Sequence, residues 1–391
     1  MDVQTYISVY LNITQLKYIS LQYLQCILVL SLFLQTIVLN CIPYLFVQEV
    51  LCCRPGKQVD LQMDLISEFV FGEMEKRKKR NTMAIQELQL IEIMSDFFQS
   101  PGGTPAVRNA LFLSLFPADS PRHKILGNLV SLAIATQNKA VLNAAGIWMQ
   151  QLSSTSPQSV GLARHVLNDY FVLTPRSIER LKQLPALAPH FTANLLTAIG
   201  EIYEDKDPPI ELLRLVGEWI DENPSLLLTP LMDNPALPTG GIPMTPITPI
   251  AGLFRWCILS PLRHNAMNSA QSREESRKFY SKVQQLLMDS VLRLNNSGNN
   301  KHAISAQHLA STTRLLTTNL QNRPNIDTVS RDLAMERLAQ AVSTAMSANC
   351  IYGNKRMYLF HTFIKYSYYY VNYIFNVCFR GTVSPFATTV V

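Results

Sequence analysis

Residues 223–263 read NPSLLLTPLMDNPALPTGGIPMTPITPIAGLFRWCILSPLR and hold eight of the chain's 22 prolines. Each proline fixes φ, lacks a backbone donor and pushes its predecessor out of the α region, so residues 233–248 cannot form a helix interior. On either side, apolar residues recur at spacings of three and four. The stretch therefore divides a first helical block, 61–232, from a second, 249–349, with a Pro/Gly-rich connector, 233–248, between them. Apolar residues continue through the connector, with Leu237, Ile242, Met244 and Ile247 set among the prolines. A free linker would be polar, so the connector is expected to brace both blocks.

Upstream, a recurring start signal punctuates the chain: Thr104-Pro105, Ser120-Pro121, Ser156-Pro157, Thr174-Pro175 and Asp207-Pro208. A capping oxygen satisfies an orphan N–H and proline at the next position loses no bond, so each pair predicts a helix start. Between them lie periodic sets such as Val141, Leu142, Ala145, Trp148 and Met149, then Phe191, Leu195, Ile199 and Ile202. Downstream, Thr248-Pro249 predicts a helix through Leu253, Phe254, Trp256, Cys257 and Leu259 that Pro261 stops, followed by a polar loop at 263–277. Three further helices carry Phe279 to Leu292, Leu309 to Leu320 and Val329 to Ala345. Helices of roughly three to five turns joined by short polar turns, with no alternating apolar run, predict an all-α fold. The expected architecture is a degenerate helical repeat, a HEAT-like α-solenoid without a strict period.

The ends follow different rules. Twelve of the 15 tyrosines and five of the seven cysteines lie outside residues 61–350. Residues 21–39, LQYLQCILVLSLFLQTIVL, are long enough to span a bilayer. Both ends, 1–60 and 350–391, are also rich in Tyr, Ile, Phe, Leu, Asn and Cys, as translated AT-rich non-coding DNA would be. Two readings of the N-terminal segment stand together: a membrane anchor, or an artefact of the gene model. For the Tyr-rich tail the artefact reading leads. Within the middle, Cys257 and Cys350 are too few for a disulfide framework and have no zinc-ligand spacing, which fits a reducing compartment.

No nucleophile elbow, HExxH helix, phosphate-binding loop or dinucleotide fingerprint occurs. No catalytic residue, cofactor or metal is expected. The cluster Glu201, Glu204, Asp205 and Asp207 reads as a solvated acidic surface, with a bound cation or basic partner as the alternative. His165 reads as a helix-face histidine, and His302 and His308, six apart, do not share a helix face. A net charge of +6 without a basic stripe is not the pattern of a nucleic-acid groove, so no direct nucleic-acid contact is expected. The run Lys76, Arg77, Lys78, Lys79 and Arg80 reads as a charged loop or a nuclear-import segment.

Several stretches, in order, resemble one family: LISEFVF (65–71), IQELQLIEIMSDFFQ (85–99), LGNLVSLAIA (126–135), ARHVLNDYFVLTPRSIERLKQL (163–184), PPIELLRLVGEWIDENPSLLL (208–228), ITPIAGLFRWCILSPL (247–262) and MERLAQAVSTAM (335–346). They are similar to the Integrator complex subunit fifteen family over residues 64–349. The resemblance implies a helical, non-catalytic nuclear scaffold that joins the arm module of subunits ten, thirteen and fourteen to the core of Integrator. That assembly acts in small nuclear RNA processing and attenuation of RNA polymerase II. It also argues against a bilayer span. Partner contact is expected at Phe254 and Trp256, beside the connector, and at Arg337, taken as an exposed position of the last helix. The alternatives are a core position for Trp256 and a solvated helix face for Arg337. The competing function is a membrane-anchored helical adaptor using residues 21–39.

Overall fold

A computed structural model describes residues 91–92, 94–96, 98–99, 105–118, 123–232, 247–263, 270–293, 303–323 and 326–351. The chain divides into two compact units, Met1–Gly103 and Thr104–Val391. In the first, the described residues between 91 and 99 are helical, and Ile91, Met94 and Phe98 are buried at the expected helical spacing.

The described residues of the second unit contain helices and no strand. In chain order these are α1 (Pro105–Leu115), α2 (His123–Thr136), α3 (Lys139–Gln151), α4 (Pro157–Leu167), the short α5 (Ile178–Lys182) and α6 (Leu184–Leu187), then α7 (Pro189–Ile202), α8 (Ile210–Glu222) and the single turn α9 (Thr229–Met232). After the connector come α10 (Ile250–Arg263), α11 (Ala270–Arg293), α12 (Ala306–Asn322) and α13 (Thr328–Ser347). In the first block α1 packs on α3, α2 on both α3 and α4, and α7 on α3 and α4. In the second, α10 is packed by α11, α12 and α13. Between the blocks, α7 packs on α10 and α8 on α11.

Burial follows the residue pattern. On α8, Leu212, Leu213, Leu215, Val216, Trp219 and Ile220 face inward while Glu211, Arg214, Asp221 and Glu222 are exposed, a one-sided amphipathic helix. By contrast, every residue from Phe191 to Gly200 on α7 is buried, as is every residue from Trp256 to Leu262 on α10. Helices buried on every side are encased, so α7 and α10 are the axes of their blocks. They meet where both are smallest: a Cβ added to Gly200 would stand 3.3 Å from the Cα of Gly252.

The start signals divide into two kinds. Ser156 caps α4, accepting from the Ser159 N–H with Pro157 in the first turn, and α1 opens at Pro105. Thr104 and the Ser120-Pro121 pair lie outside the described residues, and at the other signals the hydroxyl or carboxylate is diverted. Thr174 Oγ1 donates back to the Asp169 carbonyl, Thr248 Oγ1 donates to the Ala303 carbonyl, and Asp207 accepts from the Tyr280 hydroxyl. α8 accordingly begins at Ile210, without a side-chain cap. Two further expectations are corrected. Pro261 lies inside α10 rather than ending it. The polar stretch expected as a loop to Arg277 is helical from Ala270, because Gln, Arg, Glu and Lys extend a nucleated helix without any apolar contact. Residues 233–246 of the connector, residues 21–39 and Lys76 to Arg80 lie outside the described residues. Among the described residues no helix is long and apolar enough to cross a membrane.

Candidate functional site

The C-terminal turn of a helix leaves carbonyl oxygens without intrahelical donors, and several large buried polar side chains of this chain are directed at such oxygens. All three tryptophans do this. Trp148 Nε1 donates to the Phe116 carbonyl just past α1 at 2.6 Å, Trp219 Nε1 to Leu181 near the end of α5 at 2.9 Å, and Trp256 Nε1 to Gly200 near the end of α7 at 3.2 Å. Each indole fills apolar space with its rings and uses its one N–H to join two helices.

The seam between α7 and α10 is the densest such site. Two arginines eight apart on α10, hence on one face, flank Trp256. Arg255 Nη2 reaches the Gly200 carbonyl at 3.1 Å, and its guanidinium pairs with Glu201 at 3.1 Å and Glu204 at 2.9 Å. Arg263 donates to the Glu204 carbonyl, to those of Tyr203 at 3.4 Å and Lys206 at 3.2 Å, and faces Asp207 at 3.9 Å. The negative end of the α7 dipole and three carboxylates thus receive two cations. Burial holds the Arg263 guanidinium below its ordinary value, with Asp207 opposing that shift. Burial and the neighbouring Asp207 push the Tyr280 phenol well up. The acidic cluster is therefore not a free surface: Glu201, Glu204 and Asp207 are engaged by the chain's own arginines, and only Asp205 and Lys206 among these residues are exposed.

On the other side of α10 the helix-interior proline explains Arg337. Pro261 has no N–H, so the carbonyl four residues earlier, Cys257, has no ladder donor. Arg337 Nη1, from α13, donates to that carbonyl at 2.7 Å and to Ser260 Oγ at 2.9 Å. Its Nη2 reaches Ser281 Oγ at 2.9 Å and the Arg277 carbonyl at 3.4 Å, both on α11. One guanidinium thus ties α10, α11 and α13 together. Burial lowers its pKa. The adjacent Cys257 thiol, fully enclosed, is pushed up to about 12 by burial, against the pull of Arg337, and stays protonated at neutral pH.

These placements decide the predicted contact residues. Phe254, Trp256 and Arg337 are 1%, 1% and 3% exposed. None offers a side chain to a partner: Trp256 is the core residue of its alternative reading, and Arg337 sits on the inward face of α13 because the proline defect in α10 needs its donor. His165 bridges α4 and α2, with Nε2 3.0 Å from Asn128 Oδ1 and 3.3 Å from Asp169 Oδ2. His308 forms a capping box with Ser305 at the start of α12. Among the described residues no group of three His, Cys, Asp or Glu is placed to hold a metal. Arg255, Arg263 and the Pro261–Arg337 pairing escape the sequence reading. The available signal was a proline four residues after Cys257 and two arginines at multiples of four on a helix that follows an acidic quartet.

Fold and site together define an all-α protein in which buried charge and indole N–H groups are spent on joining helices at their ends. The family model for Integrator complex subunit 15 matches residues 21–362, which reaches beyond 64–349 on both sides and takes in residues 21–39. The chain is 34% identical over 331 residues to Integrator complex subunit 15 of Drosophila melanogaster, covering 78% of this chain and 84% of that protein. It is 31% identical over 324 residues to the Mus musculus protein of the same name, covering 74% and 71%. To the Homo sapiens protein it is 35% identical over 213 residues, covering 52% of this chain and 47% of the relative. The chain belongs to the Integrator complex subunit 15 family.

Proposed function

We propose that this chain is a non-catalytic scaffold subunit of the Integrator complex, acting in the nucleus to tie the arm module of subunits ten, thirteen and fourteen to the core in small nuclear RNA processing and RNA polymerase II attenuation. The observation that carries this is the family match across residues 21–362, which spans both helical blocks and the connector. The use of the buried charges supports the non-catalytic reading: Arg255, Arg263 and Arg337 are spent on carbonyls and carboxylates of neighbouring helices. A degenerate HEAT-like arrangement is the finer fold we propose, supported by α1 packing on α3 and α2 on α4 in the first block.

Tagged full-length chain, purified from nuclear extract, should bring down arm and core subunits of Integrator together. Recovery of one module alone would remove the linking role, and recovery of neither would overturn the assignment. The run Lys76, Arg77, Lys78, Lys79 and Arg80 is proposed as the import segment. Replacing all five with neutral residues should abolish nuclear accumulation of a fluorescently tagged chain; undiminished nuclear signal removes that role.

A further inference from the structure

Five large apolar side chains are exposed among the described residues, and only Val172 and Leu173 are neighbours, at 68% and 65% exposure. They stand at the end of a π-helical turn, Asn168–Leu173, that continues α4. The buried stripe of α4 runs Leu162, Ala163, Val166, Leu167 and then Tyr170. Continued α-helical spacing would turn Leu173 inward, three residues after Tyr170. The wider turn, closed by the Thr174 N–H on the Asp169 carbonyl at 2.7 Å, rotates it outward instead. π turns inside helices concentrate at functional positions.

The ridge is held rigid. Tyr170 is buried beneath it and donates its hydroxyl to the Ser131 carbonyl at 3.0 Å, and Thr174 Oγ1 adds a second bond to the Asp169 carbonyl at 2.8 Å. Its rim is basic. Arg164 and Asn168 are exposed at the end of α4, ahead of Val172 in the chain, and Arg176 and Arg180, also exposed, follow Leu173 within seven residues. None of the three arginines has an ion-pair partner among the described residues. The nearby acids are taken: Asp169 accepts from Ser131 Oγ at 2.5 Å and faces His165 at 3.3 Å, and Glu179 pairs with Lys182 at 3.2 Å.

We propose that this ridge docks an acidic segment of another Integrator subunit, with apolar side chains seated against Val172 and Leu173 and carboxylates against Arg164, Arg176 and Arg180; this rests on the subunit reading above. Two aliphatic side chains on a fixed turn suit a protein partner. A single-stranded nucleic acid would require exposed aromatic stacking platforms, and the two aromatics of this turn, Tyr170 and Phe171, are buried and partly buried. Preorganisation lowers the ordering cost of binding, and charge complementarity selects the acidic partner.

The test uses the full-length chain with p-benzoylphenylalanine in place of Val172, irradiated in nuclear extract, with crosslinked peptides sequenced. Peptides rich in Asp, Glu and apolar residues from an Integrator subunit are expected. Crosslink yield should fall by about tenfold or more in the R164E/R176E/R180E variant and on replacing Leu173 with Ser. All these side chains are exposed, so the thermal midpoint should not move and misfolding is not an alternative explanation. Crosslinks to nucleic acid or to basic or neutral segments, no protein crosslink, or a yield indifferent to charge reversal would overturn the proposal. Recovery of Integrator subunits by the same tagged chain is scored separately. Recovery without a crosslink at position 172 overturns the ridge alone. No recovery overturns the subunit reading and, with it, the carrier named here.

Discussion

Replacing Arg337 with Met tests whether that arginine answers the proline defect in α10. Met removes the charge together with the donors, so no unpaired cation is left, and its unbranched stem fills most of the same space. Four acceptors lose a donor: the carbonyls of Cys257 and Arg277 and the hydroxyls of Ser260 and Ser281. The two hydroxyls can rotate, and Ser260 already donates to the Cys257 carbonyl at 3.1 Å. The main loss is the short charge-assisted bond to Cys257, whose buried carbonyl has no ladder donor and keeps only the Ser260 hydroxyl; a bond from a charged donor contributes about 1.5–3 kcal/mol. Relief of the buried cation's desolvation offsets part of the remaining losses, leaving about 2 kcal/mol for R337M. Pro261→Ala supplies the missing N–H, so R337M should cost only about 0.5–1 kcal/mol in the P261A background. Urea unfolding of the four proteins closes a double-mutant cycle with an expected coupling of about 1–2 kcal/mol. Equal costs of R337M in the two backgrounds, within about 0.5 kcal/mol, would refute the compensation argument.

Three more outcomes follow from local geometry. A Cβ at Gly146 of α3 would stand 2.9 Å from the Cα and N of Phe191 on α7, whereas one at Gly161 meets nothing within 4 Å. G146A should therefore destabilise by about 1–3 kcal/mol despite the helix-propensity gain, and G161A should stabilise by about 0.5–1 kcal/mol, both read by urea unfolding. Asp327 caps α13, and the bond from the Ser330 N–H at 2.7 Å holds its carboxyl below the usual range. A depressed carboxylate contributes above its unfolded value and loses that contribution as pH falls through the folded one. The difference in unfolding free energy between wild type and D327A, about 1 kcal/mol at neutral pH, should thus close as pH drops below about 4; a difference that ignores pH would contradict the charged-cap account. Finally, a protease site inserted between Gly240 and Gly241 and then cut should leave the two fragments co-eluting on gel filtration, since α7 packs on α10 and α8 on α11. Separation of the fragments would show that the connector alone held them.

Apolar runs made the encased helices readable: Phe191, Leu195, Leu196 and Ile199 on α7, and Leu253, Phe254, Trp256 and Leu259 on α10, have no other stable destination than a core. Polar assignments failed where a side chain had more than one competent partner. Thr248 and Asp207 satisfy every local rule for a cap, yet a carbonyl 55 residues away and a phenol 73 residues away take them. Pro261 misleads in the opposite sense: proline stops a helix in isolation, but here Arg337, 76 positions later in the sequence, supplies what the backbone lacks. Helix ends without glycine were equally hidden. α2 closes with Gln137 at φ 57° and α13 with Asn349 at φ 55°, each followed by a bond from the next N–H to the carbonyl five residues back. The outward Leu173 depends on one wide turn, and a single register shift leaves no compositional trace.

The polar seam has a consequence for a scaffold that burial alone would not supply. Two helices held only by apolar contact can slide or rotate against each other at small cost, because hydrophobic contact is non-directional. The carbonyls engaged by Trp256, Arg255 and Arg263 occur at one place, the C-terminal end of α7, where the intrahelical ladder runs out. Any slip of α10 by a turn, roughly 5 Å, would strand two largely buried guanidinium groups away from both their carbonyls and their carboxylates. The guanidinium groups are the buried partners and the carboxylates are partly exposed, so the cost falls mainly on the arginines, which lose both their carbonyl acceptors and their counter-charges. The close approach of Gly200 and Gly252 suits this register, because a Cβ at either position would crowd the other helix, and the arginines favour it electrostatically. Surfaces carried by the first block, including the Val172–Leu173 ridge, are thereby held in a fixed relation to surfaces of the second.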